Sequence, residues 1–232
     1  MACVHNEDHI APLLNLVEIA HSSHEHSTAF SLTLLHLLEL TGHSAVVLHR
    51  YKQNADDNVP TSIDRIVNAY RCFEQQNSQQ VYITLLTYVV VSPYSTLFND
   101  VCYLALIRKI CLILVPFHKS FDGAQQTVNH AFQSLNHDVL AYAPCYVAIL
   151  VDRSLHTATR AQTNQVLQRI ALFFLGGPND REALALASRM ANNLYISLTI
   201  VSFLCQIGDP KLPKDKHKDE ERKLDDAAIP YC

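Results

Sequence analysis

Three groups of residues have the types and spacing that site chemistry uses. His21, His24, Glu25 and His26 put three imidazoles and a carboxylate within six residues, enough donors for zinc or copper. Structural zinc sites take four ligands from rigid elements, however, and this polar stretch lacks cysteine. It reads as a solvated loop, and no metal site is assigned. Gly176-Gly177-Pro178-Asn179-Asp180-Arg181 lies between a strand-like run and a helical pattern, where free N–H groups and the helix dipole receive anions. Turn chemistry alone also explains it, with two glycines in a tight turn and Asp180 as a cap. Arg181 in the first turn opposes the dipole, which favours an anion or a carboxylate nearby. Gly176, Gly177, Asp180 and Arg181 are therefore ligand candidates. His5 and Asn6, with Asp8, follow the first strand at the edge where ligands of open α/β sheets bind, although cap and turn chemistry accounts for them equally well. Catalytic patterns are missing: the chain has no G-x-S-x-G elbow, H-E-x-x-H, Rossmann fingerprint or P-loop. Cys145 after Pro144 opens a buried strand, where a thiol is inert. The reading is a non-enzyme without a cofactor.

The elements that would position these residues centre on Ile110 to Arg153. Ile110–Val115 and Cys145–Val151 are short apolar runs rich in Ile, Leu and Val, the composition of strands buried on both faces. Val128, Phe132 and Leu135 recur between them at helical spacing, and Pro144 forces the turn into the last strand. Upstream, Met1–Val4 leads into Ile10, Leu13, Leu14 and Val17 at helical spacing, with Asp8 as the expected cap. A four-residue opening is short for a buried parallel strand, so the natural protein is expected to continue upstream. Ala29–Leu40 and Val81–Val91 read as strands. Tyr51–Pro60 reads as a loop, and helices carry Ile66, Val67 and Tyr70, then Leu97, Val101 and Leu104. Five strands alternating with four helices predict an α/β fold: an open parallel five-stranded sheet with helices on both faces, Rossmann-like, over residues 1–153.

Residues 154–208 begin a second, incomplete domain of the same class as strand, helix and strand, with Leu184, Ala187 and Ala191 on the inner helix face. A sheet that small is expected to add to the first domain or to another chain, most simply by homodimerisation. Residues 209–232 read as a charged, solvated tail, since Lys211–Asp226 holds six basic and six acidic residues and almost nothing apolar.

Composition bounds the rest. The 232 residues are 49% hydrophobic and 17% charged, with a formal net charge of -4. That is globular composition, and it excludes a dedicated nucleic-acid binder. No apolar run approaches the roughly 18 residues of a spanning helix, and the start lacks a signal peptide's pattern. The chain as given reads as soluble and cytosolic in type. Seven cysteines without C-x-x-C spacing indicate free thiols.

Against that architecture, CVHNEDHIAPLLNLVEIA, LTLLHLLELTGHSAVV, VSPYSTLFNDVCYLA, ILVPFHK, AFQSLNHDVLAYAPCYVAILVDR and FFLGGPNDREALALASRMA resemble, in order, the carboxy-terminal region of plant cation/proton exchangers, the CHX family of monovalent cation:proton antiporters. The resemblance implies a cytosolic regulatory region at the inner face of a membrane. Its partner would be the transmembrane domain of an antiporter that exchanges potassium or sodium for protons. It also implies two tandem domains of the universal stress protein type, with Tyr142-Ala143-Pro144-Cys145 similar to that fold's own signature. ATP-binding members of that type have a Gly-x-x-Gly loop after the fourth strand. Here Phe117–Gly123 has one glycine, so weak or no ATP binding is expected in the first domain. A free-standing, nucleotide-binding stress-type protein is the alternative.

Thirteen histidines in a module that resembles part of a proton-coupled transporter suggest pH sensing, because imidazole titrates closest to cytosolic pH. The candidates are those in structured surroundings: His5 at the ligand edge, His36 within a strand, and His118 beside Lys119, whose charge would oppose a second one.

Overall fold

Buried apolar runs alternating with amphipathic segments lead the chain to shuttle between a sheet and its two faces. The computed structural model describes residues 1–20, 30–40, 47–51, 62–77, 83–122, 125–152, 167–203 and 223–228. Contacts divide the chain into two units, one of Met1–Val17 with Thr28–Gln162, the other of Glu18–Ser27 with Thr163–Cys232.

In the first unit the strands are β1 (Ala2–Val4), β2 (Phe30–Glu39), β3 (Val47–Arg50), β4 (Ile83–Ser92), β5 (Leu112–Pro116), β6 (Lys119–Asp122), β7 (Gln125–Val128) and β8 (Tyr146–Leu150). The helices are α1 (Ile10–Ala20), whose residues from Glu18 onward are counted with the second unit, α2 (Ser62–Asn77), α3 (Tyr94–Ile107) and α4 (His130–Tyr142). The main sheet runs β3-β4-β2-β1-β5-β8, parallel throughout except for β3. The five parallel strands thus stand in the order third, second, first, fourth, fifth. The order reverses between β1 and β5, which defines the switch point at their carboxyl ends.

Strand alternation sends Ala2, Val4, Leu32 and Leu34 toward Leu13, Val17, Ile66 and Tyr70 of α1 and α2. Cys3, Leu35, Leu37, Ile113 and Val115 pack with Leu97, Val101, Leu135 and Val139 of α3 and α4. Although β1 has only three residues, it is central and wholly buried, and Leu114 N–H also bonds to the Met1 carbonyl at 2.8 Å. Among the described residues, no helix is long and apolar enough to cross a membrane.

The α/β sheet with helices on both faces matches the sequence reading, with four local corrections. An antiparallel edge strand, β3, flanks the five parallel strands; at four residues it is too short for a periodic signal. Val128 is not on the crossover helix but ends β7, half of a polar hairpin with β6, and it is 41% exposed. The helix starts only after Asn129, whose Oδ1 accepts the N–H groups of Ala131 and Phe132 at 3.0 and 3.2 Å. Asp8 does not cap α1, because Glu7–His9 forms a 3-10 turn and the α-helix opens at Ile10.

The second unit contains β9 (Gln168–Phe174), α5 (Pro178–Ala191) and β10 (Ile196–Ser202). β9 and β10 pair in parallel as a two-stranded sheet. Leu184, Ala187 and Met190 form the buried face of α5. Ala191 is exposed, which is the fourth correction: the inner face is read one residue too far along the helix. The charged tail lies mostly outside the described residues, as do His21–His26 and, apart from Tyr51, the loop Tyr51–Pro60; residues 223–228 are helical.

Candidate functional site

The carboxyl ends of β1, β2 and β5 bring together side chains far apart in sequence. His5 follows β1 directly. His36 is level with Val4 in the register between β1 and β2, so alternation places it on the α1/α2 face with Leu32 and Leu34. The Asn129 cap starts α4 so that Phe132 lies in its first turn, and the Phe132 and His5 rings stack with centroids 3.7 Å apart and planes 15° apart. His9 stands edge-on to His5 at 5.8 Å. Tyr94, the first residue of α3, closes the cluster at 6.3 Å from His5 and 5.8 Å from Phe132. The His5 backbone N–H donates to His9 Nδ1 at 3.3 Å, so in neutral His9 the proton sits on Nε2.

These imidazoles are held neutral. Burial, reinforced by His9 and His36, pushes His5 down to about 3. Burial also lowers His9, with Asp8 opposing, and lowers His36, with the His5 backbone opposing. Tyr94 is raised by burial and then by Glu39. Among the described residues, His5 Nδ1, both His36 nitrogens and Asn136 Oδ1 have no hydrogen-bond partner of ordinary geometry. Asn136 lies one turn beyond Phe132 on α4, and its amide Nδ2 donates to the carbonyl of Pro116, the last residue of β5, at 2.8 Å. An unpaired buried polar group costs about 1–3 kcal/mol, so this edge stores unmet hydrogen-bonding capacity at the switch point.

Of the residues singled out in sequence, His5 and His36 fall in or beside this cluster. Asn6 is exposed, and its side chain turns to Asp8 Oδ2 at 3.3 Å. His118 is elsewhere: its ring lies 4.3 Å from that of Phe117, its carbonyl accepts Asn129 N–H at 2.8 Å, and Lys119 opens β6, so the two form the base of the hairpin. Sequence reasoning missed His9, Tyr94, Phe132 as a stacking partner, and Asn136. The four-residue spacing of His5 and His9 and the capping signal of Asn129 were the cues available. Burial pushes the Cys3 thiol up to about 12 and raises Cys145, so neither is an activated nucleophile. The described residues contain no group of three or more His, Cys, Asp or Glu suited to a metal ion.

In the second unit, the turn between β9 and α5 is built on two glycines with positive φ, 104° at Gly176 and 97° at Gly177, where other residues are strained. Asp180 Oδ2 accepts from the backbone N–H of Leu175 at 2.6 Å and of Gly176 at 2.9 Å. Gly177 N–H points instead to Asp225, at 3.1 and 3.0 Å from its two oxygens, and Arg181 donates to Asp225 Oδ1 at 2.5 Å. The anion-receiving geometry at the head of α5 therefore holds carboxylates of the chain itself.

Two family models match the chain. One, described as a plant cation/H(+) antiporter domain, covers residues 32–155; the other, described as the C-terminal domain of plant cation/H(+) antiporters, covers residues 167–231. Similar proteins of Arabidopsis thaliana include cation/H(+) antiporter 15, 35% identical over 99% of this chain and 30% of its own length. Cation/H(+) antiporter 23, chloroplastic, is 32% identical over 99% and 27%, and cation/H(+) antiporter 17 is 30% identical over 100% and 28%. The chain thus spans under a third of the length of these relatives.

Proposed function

Because the chain belongs to the plant cation/H(+) antiporter family, we propose that it is the cytosolic regulatory region of a monovalent cation:proton antiporter, catalysing nothing itself and reading proton concentration at the His5–Phe132 stack. The observation that carries this reading is a group of imidazoles held neutral at the ligand edge of the sheet, with hydrogen-bonding capacity unmet. Burial disfavours protonated His5, so acid favours a movement of Phe132 that lets water reach the ring. Phe132 lies in the first turn of α4, so the event is passed to a helix that packs across the sheet. Contact between that helix and the transmembrane domain would turn it into altered transport. The nucleotide-binding alternative is the weaker reading, since His5 and Phe132 stack at the switch point where this fold class takes a nucleotide.

The test uses the full-length antiporter in a host lacking its own potassium uptake. Rubidium uptake is measured from pH 5.5 to 8 for the native protein and for His5→Phe, which keeps a ring on Phe132 but carries no proton. The expected result is unchanged uptake at neutral pH with a flattened response to acid; an unaltered pH profile would remove the stack from regulation.

Self-association belongs to the same proposal. One face of the second sheet packs on α5, whereas the other presents Phe173 at 61% and Phe203 at 53% exposure, their rings 6.3 Å apart. A second copy covering that face would give a dimer that Phe173→Ser weakens at least about tenfold, the scale of losing one buried aromatic contact. Light scattering that finds a monomer at every concentration would reject it.

A further inference from the structure

Asp225 is separated from Gly177 by 48 positions and sits in a charged run with almost no apolar residue to bury. It is nevertheless only 16% exposed, against 22% for its partner Arg181. Its two oxygens take the Gly177 N–H and the Arg181 guanidinium, a charge-assisted arrangement. The fit is close: a Cβ added at Gly176 would come 2.9 Å from Asp225 Oδ2. Leu175 to Gly177 follow the carboxyl end of β9 and lead into α5, the edge where open α/β sheets take ligands. Leu224, the largest apolar side chain of the segment, is 54% exposed, whereas Asp225 reaches the ligand edge through its carboxylate.

We propose that residues 223–228 form a lid over the carboxyl edge of the second sheet, latched by Asp225 onto Gly177 and Arg181. The latch is specific to one carboxylate. Asp226, the next residue in the same helix, is exposed and serves as its internal control. When the lid lifts, the Gly177 N–H and the head of α5 are opened together, and when it docks both are covered.

Amide hydrogen exchange on the whole chain tests this. In Asp225→Asn, which removes the charge but keeps the shape, the Gly177 amide and residues 223–228 are expected to exchange about tenfold faster or more, the scale set by one charge-assisted hydrogen bond. The amides of Leu184, Ala187 and Met190 in α5 should keep their protection, and Asp226→Asn should change nothing. Unchanged exchange in Asp225→Asn would overturn the latch, and so would an equal effect of Asp226→Asn. Loss of α5 protection along with the lid would also overturn it, because Asp225 would then be holding the helix rather than closing an edge.

Discussion

The two sheets end alike and are closed by opposite chemistry. At the carboxyl edge of the first, neutral rings stack: His5 on Phe132, with His9 and Tyr94 around them. At the carboxyl edge of the second, an ion pair and backbone donors hold Asp225. The same position in an open α/β sheet is thus filled by stacked rings in one unit and by charge-assisted hydrogen bonds in the other. The difference traces to neighbours. Around His5, burial removes water and two further imidazoles repel a positive charge, so the ionised form is disfavoured. Around Asp225, a guanidinium and a backbone N–H at the head of a 14-residue helix supply the donors that hold the carboxylate.

The comparison breaks most visibly if the stack is removed. Phe132→Ala takes away a half-buried ring and the cover over His5. It should destabilise the first unit by about 2–3 kcal/mol, toward the low end of aromatic truncations because the ring is partly exposed. The second unit should be untouched, as expected for independent sites. Denaturant unfolding followed by probes in each unit reads this directly. Equal destabilisation of both units would mean that the edges are not independent.

Much of this fold is legible in the sequence. Parallel strands buried on both faces read as plain apolar runs, so Ile110–Val115 and Val81–Val91 could be placed without periodicity, and the helices between them follow from spacing such as Leu97, Val101 and Leu104. The parts that escaped lack that signal. β6 and β7 are polar, β3 has four residues, and Val128 sits one residue before the cap that starts α4. The candidate sites were half legible for a different reason. His5 stands out by its place after a strand, but its stacking partner lies 127 residues away and is joined to it only by the strand order. Asp225 was hidden further, as one acid among six in a run whose composition predicts no docking at all. Composition reports the average tendency of a segment, whereas a latch depends on a single side chain.

The central claim is that the first edge is closed by a histidine that must stay neutral, and its sign is fixed. With His5 at about 3 in the folded chain and an unfolded value of about 6.5, the unfolded state binds more protons between those limits. The contribution of His5 to stability is therefore complete above about pH 6.5 and is lost progressively as pH falls toward the folded value. His9 and His36 act in the same direction. The most direct measurement is the unfolding free energy of the first unit at pH 7.5 and pH 5.5, for the native chain and for His5→Phe. The native chain should lose about 1.4 kcal/mol more than the variant between those values; an identical loss in both would contradict a neutral, half-buried His5.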